Sequence, residues 1–133
     1  MRLQKISNLV FKLFVVLPGL AFLFNGLNWL VEPQVAAASM MMPLLNDGAG
    51  LSSQIGDIGG LFLAMGLMIL TAITTSNGQW LRPVVLLLLC IAFYRLVAFI
   101  AHDAALLHQM IMLELLLALW LHFAANKLSP KNA

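Results

Sequence analysis

Four long apolar stretches, separated by shorter polar segments, dominate the sequence. They run over about residues 9–31, 53–75, 83–101 and 104–125. A helix needs roughly 20 mostly apolar residues to cross the hydrocarbon core of a bilayer, and each stretch is about that long. The pattern therefore predicts four transmembrane helices. Only His102 and Asp103 remain between the last two stretches, so we expect a tight antiparallel turn there.

The segment from Glu32 to Leu51 is the long connection between the first two predicted spans. Pro33 suits the first turn of a helix, where its missing N–H has no intrahelical partner to lose. Residues 34–42 continue this pattern up to Pro43, and Asn46-Asp47-Gly48 is typical of a turn. We therefore predict a short interfacial helix after the first span, with Met40, Met41 and Met42 as interfacial anchors.

Composition decides the class of protein. Hydrophobic residues make up 62% of the 133 positions and charged residues only 9%, whereas a soluble domain carries roughly a quarter. The chain must therefore use lipid as its outer solvent. We predict an all-α integral membrane protein, a four-transmembrane-helix bundle, with one domain over residues 1–128 and a disordered tail over residues 129–133.

The basic residues predict the orientation. Those that flank the spans all fall on one side: Arg2, Lys5, Arg82, Lys127 and Lys131. The connections on the other side, residues 32–51 and 102–103, contain no Lys or Arg. Basic residues accumulate in cytoplasmic loops, so both termini are expected in the cytoplasm.

The first apolar stretch also has features of a cleaved signal peptide. It follows basic residues, and Ala36-Ala37-Ala38 resembles a cleavage site. Its apolar part is longer than the roughly 7–15 residues usual in a signal peptide, and this favours a transmembrane helix.

Several other chemistries are not indicated. The basic residues form no stripe with interleaved aromatic residues, so we expect no nucleic-acid partner. His102, Asp103 and His108 lack the spacing of a zinc site, and no metal is predicted. The single cysteine, Cys90, is expected to be a buried packing residue.

Three ionisable residues stand out inside the predicted spans: Asp57, Arg95 and Glu114. Such residues in a membrane helix are candidates for a functional site, because each costs roughly 2.5–3.5 kcal/mol near the helix centre when it faces lipid. Their depths place Arg95 between the two carboxylates. We therefore predict a buried Asp-Arg-Glu cluster.

Other polar residues fall in the same half of the membrane and complete the candidate site. They are Asn25, Asn28, His102 and His108. The polar side chains together predict a cavity open to the non-cytoplasmic side. Gly56, Gly60 and Ala64 recur every four residues, a spacing that allows helix backbones to approach closely, and Asp57 shares their face. We therefore expect Asp57 to face inward.

The same cluster has competing interpretations. A buried ion pair can serve only to fix which helices are neighbours. It can also bind a ligand, or it can relay a proton or an ion. The residue pattern leaves these three roles open.

The segments GDIGGLFLAMGLMIL (56–70), LRPVVLLLLCIAFYRLVAFIAHD (81–103) and MLELLLALWL (112–121) resemble the DoxX-like superfamily, and more closely one of its uncharacterised bacterial four-helix families. The resemblance rests on Asp57 before Gly59-Gly60, Arg95 late in the third helix and Glu114 in the fourth. Ile58 stands where relatives often have an aromatic residue. The resemblance implies a four-helix protein of the bacterial inner membrane.

The leading hypothesis is a non-enzymatic membrane module that binds a small lipid-like ligand, or assists a protein partner or a second copy. The superfamily's namesake is similar to a subunit of a membrane thiosulfate–quinone oxidoreductase, and this resemblance implies a quinone-linked alternative. In that alternative Arg95 binds a quinone oxygen and Glu114 passes a proton. A third hypothesis is a proton-coupled transporter. No cofactor other than the quinone is expected.

Overall fold

The computed structural model describes residues 2–129, except for the side chains of residues 2, 3 and 5. The regular structure within this range is helical. In chain order the elements are α1 (Arg2–Val31), α2 (Pro33–Ser39), α3 (Gly48–Ser53), a π-helical turn (Gln54–Gly59), α4 (Gly60–Thr74), a 3₁₀ turn (Gly78–Trp80), α5 (Leu81–His102) and α6 (His108–Leu128).

Four helical segments are long and apolar enough to cross a membrane. They are Ile6–Val31, Gly48–Thr74, Gly78–His102 and His108–Leu128. The second joins α3, the π-helical turn and α4. The prediction of an all-α fold with four spans, and with a short helix after the first, is confirmed. Four such helices are typical of a small multi-pass membrane protein.

The chain divides into two compact units, Met1–Leu70 and Thr71–Ala133. The single domain expected over residues 1–128 stays a prediction. From Pro130 onward, the predicted tail lies outside the described residues. Ser129, by contrast, follows α6 directly, and both its N–H and its hydroxyl donate to the carbonyl oxygen of Ala125.

In the first unit, glycines bring the backbones of α1 and α4 together. A Cβ added at Gly26 would lie 2.5 Å from the backbone nitrogen of Leu63, and one at Gly66 would lie 2.6 Å from the backbone nitrogen of Leu23. The pairing of later residues in α1 with earlier residues in α4 makes the two helices antiparallel. Only glycine allows this approach without moving one of the helices.

The predicted small-residue face of the second span is wrong. A Cβ at Gly56 or Gly60 would meet nothing within 4 Å. The contact face instead runs through Gly59 and Gly66, which match the seven-residue spacing of Gly19 and Gly26 in α1. The sequence contains both series of small residues, and spacing within one helix does not show which of them meets a neighbour.

The segment after α1 folds onto the end of that helix. Trp29, Ala36 and Ala37 are buried together, and partly buried apolar side chains pack against them: Met40, Met42, Leu44, Ile55 and Ile58. We call these eight residues the Trp29 cluster. Met41 is exposed with a φ of 58°. Met40 and Met42 pack against the buried residues of this cluster, and the interfacial anchoring expected of the three methionines stays a prediction.

Two polar side chains hold this segment in place. The amide of Gln54 accepts a hydrogen bond from the Leu45 N–H at 2.8 Å and donates to the Pro43 carbonyl at 3.0 Å. The carboxylate of Asp47 accepts from the Gly50 N–H and caps α3. This cap explains why the second span begins at Gly48 rather than near residue 53.

In the second unit, α5 and α6 are joined by a longer connection than predicted. Asp103 adopts a left-handed conformation with a φ of 51° and ends α5, and α6 begins only at His108. The expected tight turn and a helix start at residue 104 are wrong. Asp tolerates this conformation better than most residues, and it terminates helices.

Candidate functional site

An ion pair between α5 and α6 is the centre of the candidate site. Arg95 Nε donates to Glu114 Oε1 at 2.8 Å. The side chains of Arg95 and Glu114 are only 23% and 12% exposed. The structure thus brings together two of the three ionisable residues that the sequence singles out.

The positions of the two residues along their helices explain the contact. Arg95 precedes the end of α5 at His102 by seven residues, and Glu114 follows the start of α6 at His108 by six. At a rise of about 1.5 Å per residue, both lie roughly 9–10 Å from the connection between the helices. Glu114 is therefore nearer to the His108 end of its helix than a start at residue 104 would place it.

Glu114 has hydrogen-bonding capacity left over. Its Oε2 atom is buried and has no hydrogen-bond partner among the residues that the structure describes. A buried carboxylate oxygen without a partner is costly, because it has lost its water and gained nothing in return. The ion pair is therefore an incomplete polar network.

Asp57 does not join a buried cluster. It lies in the π-helical turn of the first unit, where it is exposed. The prediction of an inward-facing Asp57 is wrong, because Asp57 shares a face with Gly60, and that face is open. The buried Asp-Arg-Glu cluster is therefore not shown, and the contact that the structure gives is the pair of Arg95 and Glu114 within the second unit.

The remaining predicted site residues belong to both units. Asn25 and Asn28 lie half-buried on α1 in the first unit. His102 and His108 are exposed at the facing ends of α5 and α6. Along their helices the two histidines lie roughly 9–10 Å from Arg95 and Glu114. The predicted cavity required both histidines to be buried beside the ion pair, and neither of them is.

An apolar groove runs along α5 beside Arg95. It has a volume of about 450 Å³, is open, and is lined by Cys90, Ile91, Tyr94, Arg95 and Ala98. The expectation of a buried Cys90 is wrong, because its side chain is exposed. On a helix surrounded by lipid, exposure of a small, weakly polar side chain carries little cost.

Sequence reasoning missed the groove residue Tyr94 and two residues of the first unit, Trp29 and Gln54. Helical periodicity carries a signal for Tyr94, since Cys90, Tyr94 and Ala98 recur every four residues. No such signal marks Gln54, whose partners are backbone groups nine and eleven residues away.

Within residues 2–129, no three His, Cys, Asp or Glu side chains are grouped so that they could hold a metal ion. No protein-family model matches the chain, and no curated protein or solved structure matches it either. The resemblance to the DoxX-like superfamily stays a prediction.

Proposed function

We propose that this protein is a non-enzymatic module of the bacterial inner membrane that binds an amphipathic ligand at the Arg95–Glu114 pair. The ligand has an apolar body and an oxygen that accepts hydrogen bonds. The observation that carries the proposal is an ion pair within two apolar helices, beside an apolar groove whose wall includes the same arginine.

The chemistry of the groove supports this class of ligand. Four of its five lining residues offer mainly apolar or aromatic surface, and Arg95 offers a cation. The bond from Nε to Glu114 uses one of the five N–H donors of the guanidinium. A carboxylate, phosphate or carbonyl oxygen of a lipid-like molecule suits the others, with its apolar body against Ile91, Tyr94 and Ala98.

Glu114 contributes orientation in this proposal. By accepting from Nε, its carboxylate restrains the guanidinium and leaves the other four N–H donors for the ligand. Its second oxygen, Oε2, is an acceptor, so a hydroxyl or a protonated acid on the ligand would complete the network. A quinone fits the same groove, with a ring carbonyl accepting from Arg95.

Native mass spectrometry of gently extracted protein tests the proposal. We expect wild type and Arg82→Gln to retain a bound amphipathic molecule, and Arg95→Gln to lose it. Arg82 is a matched control because it is an exposed arginine on the same helix. Ultraviolet absorbance of the extract distinguishes a quinone from a lipid.

Two results would contradict the proposal. One is a wild-type protein that carries no specific molecule, and the other is an equal bound fraction in Arg95→Gln. Circular dichroism and size-exclusion chromatography establish that each variant is folded. Should Arg95→Gln fail to accumulate, Arg95→Lys replaces it, since lysine keeps the charge but not the planar fork of donors.

A further inference from the structure

A second incomplete polar network lies in the first unit, on α1. The indole Nε1 of Trp29 and the amide Oδ1 of Asn25 are both buried, and neither has a hydrogen-bond partner among the described residues. One is a donor and the other an acceptor. They lie four residues apart on one helix, a spacing that places their Cβ atoms about 5–6 Å apart on the same face.

The Trp29 side chain is enclosed within the first unit. It is fully buried, and a Cβ at Gly59 would lie 2.6 Å from the Trp29 Cβ. In the Trp29 cluster, five partly buried hydrophobic side chains pack against the buried residues, and the indole N–H has no hydrogen-bond partner among the described residues. The sulfur of Met42 is a weak acceptor within this cluster, but it already accepts from the Gln54 amide nitrogen, which lies 3.6 Å away.

The orphaned pair lies close to the end of the span. Trp29 precedes the end of α1 at Val31 by two residues, so it lies roughly 3 Å along the axis from that end. Tryptophan is enriched at this level of a membrane, where its apolar ring and polar N–H meet different surroundings. Water and the hydroxyl groups of lipids and alcohols are available there.

We propose that Asn25 and Trp29 form a binding site for one hydroxyl group. The hydroxyl oxygen accepts from Trp29 Nε1, and its hydrogen is donated to Asn25 Oδ1. A hydroxyl is the smallest group that both donates and accepts, so it satisfies both orphaned atoms at once. The hydroxyl belongs to a water molecule or to a membrane-dissolved alcohol. This site is independent of the proposed ligand at Arg95.

Ultraviolet resonance Raman spectroscopy reads the hydrogen bond at the indole N–H. The background is Trp80→Phe with Trp120→Phe, which leaves Trp29 as the one remaining tryptophan. In bilayers of dioleoylphosphatidylcholine, a lipid without hydroxyl groups, a bonded N–H that becomes free when the bilayer is dehydrated identifies water as the source. An N–H that stays bonded in the dehydrated bilayer has an acceptor in the protein or in the lipid, and this result overturns the proposal. A band that shifts to the bonded position only after dodecanol is added identifies an alcohol. A free N–H both without and with dodecanol overturns the proposal. This result is obtained with Asn25 and Trp29 unaltered.

Substitution of Asn25 tests the second half of the bridge. We expect Asn25→Leu to shift the Trp29 band toward the free position, because a hydroxyl without Asn25 has lost one of its two partners. Asn28→Leu is the matched control on the same helix, and we expect it to leave the band unchanged. An unchanged bonded band in Asn25→Leu would also overturn the proposal, since Trp29 would then have another acceptor.

Discussion

At the residue scale, the pair of Arg95 and Glu114 joins the two long helices of the second unit. In water, an exposed ion pair of this kind contributes roughly 0–1 kcal/mol. Between two apolar helices the alternative to the contact is a charge facing lipid, although measured side-chain hydrogen bonds in membrane proteins average only about 0.6 kcal/mol. The loss of one partner should therefore cost more than the pair itself contributes.

A double-mutant cycle tests this asymmetry. We expect Arg95→Met and Glu114→Met each to lower the free energy of unfolding by roughly 3–5 kcal/mol, because each leaves an uncompensated charge. The double variant should be closer to wild type than the sum of the two losses. Unfolding in mixed micelles with increasing dodecyl sulfate measures all four proteins. Additive losses would show that the two side chains do not depend on each other in the membrane.

At the element scale, the contact of α1 with α4 depends on where glycine stands. Gly26 and Gly66 let the two backbones approach so closely that a methyl group has no room. Gly60 belongs to the same helix as Gly66 but meets no neighbour. The chain therefore contains both a test position and a control position within α4.

We expect Gly26→Ala and Gly66→Ala to destabilise the protein by roughly 1–3 kcal/mol, the usual cost of overpacking. Gly60→Ala should be neutral or stabilising by up to about 1 kcal/mol, since alanine favours a helix more than glycine does. Dodecyl sulfate titration compares the three variants. Equal stability of Gly66→Ala and Gly60→Ala would show that the close approach of α1 and α4 is absent in solution.

Much of this element-scale description follows from the sequence. The four spans and the short helix after the first are predictable, because long apolar runs and Pro33 carry local signals. The start of α6 is not predictable in this way. It depends on the left-handed conformation of Asp103, which ends α5 and is followed by a loop that extends to His108. The ion pair between α5 and α6 is predictable from the cost of isolated charges in lipid.

The face that each helix presents is less predictable. Asp57 and Cys90 are exposed, against expectation. In a membrane, apolar residues cover the outside as well as the inside, so the contrast that identifies the buried face of a soluble helix is missing. The two hydrogen bonds of Gln54 to the backbone of Pro43 and Leu45 are not predictable either, because contacts to backbone groups leave no pattern in the sequence of side chains.

Gln54 is also an element-scale test of how the segment after α2 is held. Gln54→Glu keeps an acceptor for the Leu45 N–H but cannot donate to the Pro43 carbonyl, whereas Gln54→Leu loses both bonds. We expect faster hydrogen exchange over residues 40–47 in Gln54→Leu, by about tenfold for a loss of roughly 1.4 kcal/mol, and a smaller increase in Gln54→Glu. Gln34→Leu, an exposed position in α2, is the control. Equal exchange rates in wild type and the three variants would contradict the role of the two Gln54 hydrogen bonds.

At the scale of the whole molecule, an even number of candidate spans predicts that both ends of the chain lie on the same side of the membrane. Which side this is depends on charge. The basic residues that flank the spans lie at the termini and at Arg82, next to the 3₁₀ turn Gly78–Trp80. The connection that follows α1 contains Glu32 and Asp47 but no Lys or Arg. We therefore propose that the termini and the 3₁₀ turn face the cytoplasm.

Single-cysteine labelling decides the orientation. In a Cys90→Ser background, Asn46→Cys places a thiol on the connection after α1, and Gln79→Cys places one on the 3₁₀ turn; both positions are exposed. We expect a membrane-impermeant maleimide to label Asn46→Cys in intact spheroplasts, and Gln79→Cys only after the membrane is opened. This order is expected because basic residues are retained in the cytoplasm during membrane insertion, and the basic residues that flank the spans lie on the same side as Gln79. The reverse order would place the Trp29 cluster in the cytoplasm and would refute the orientation.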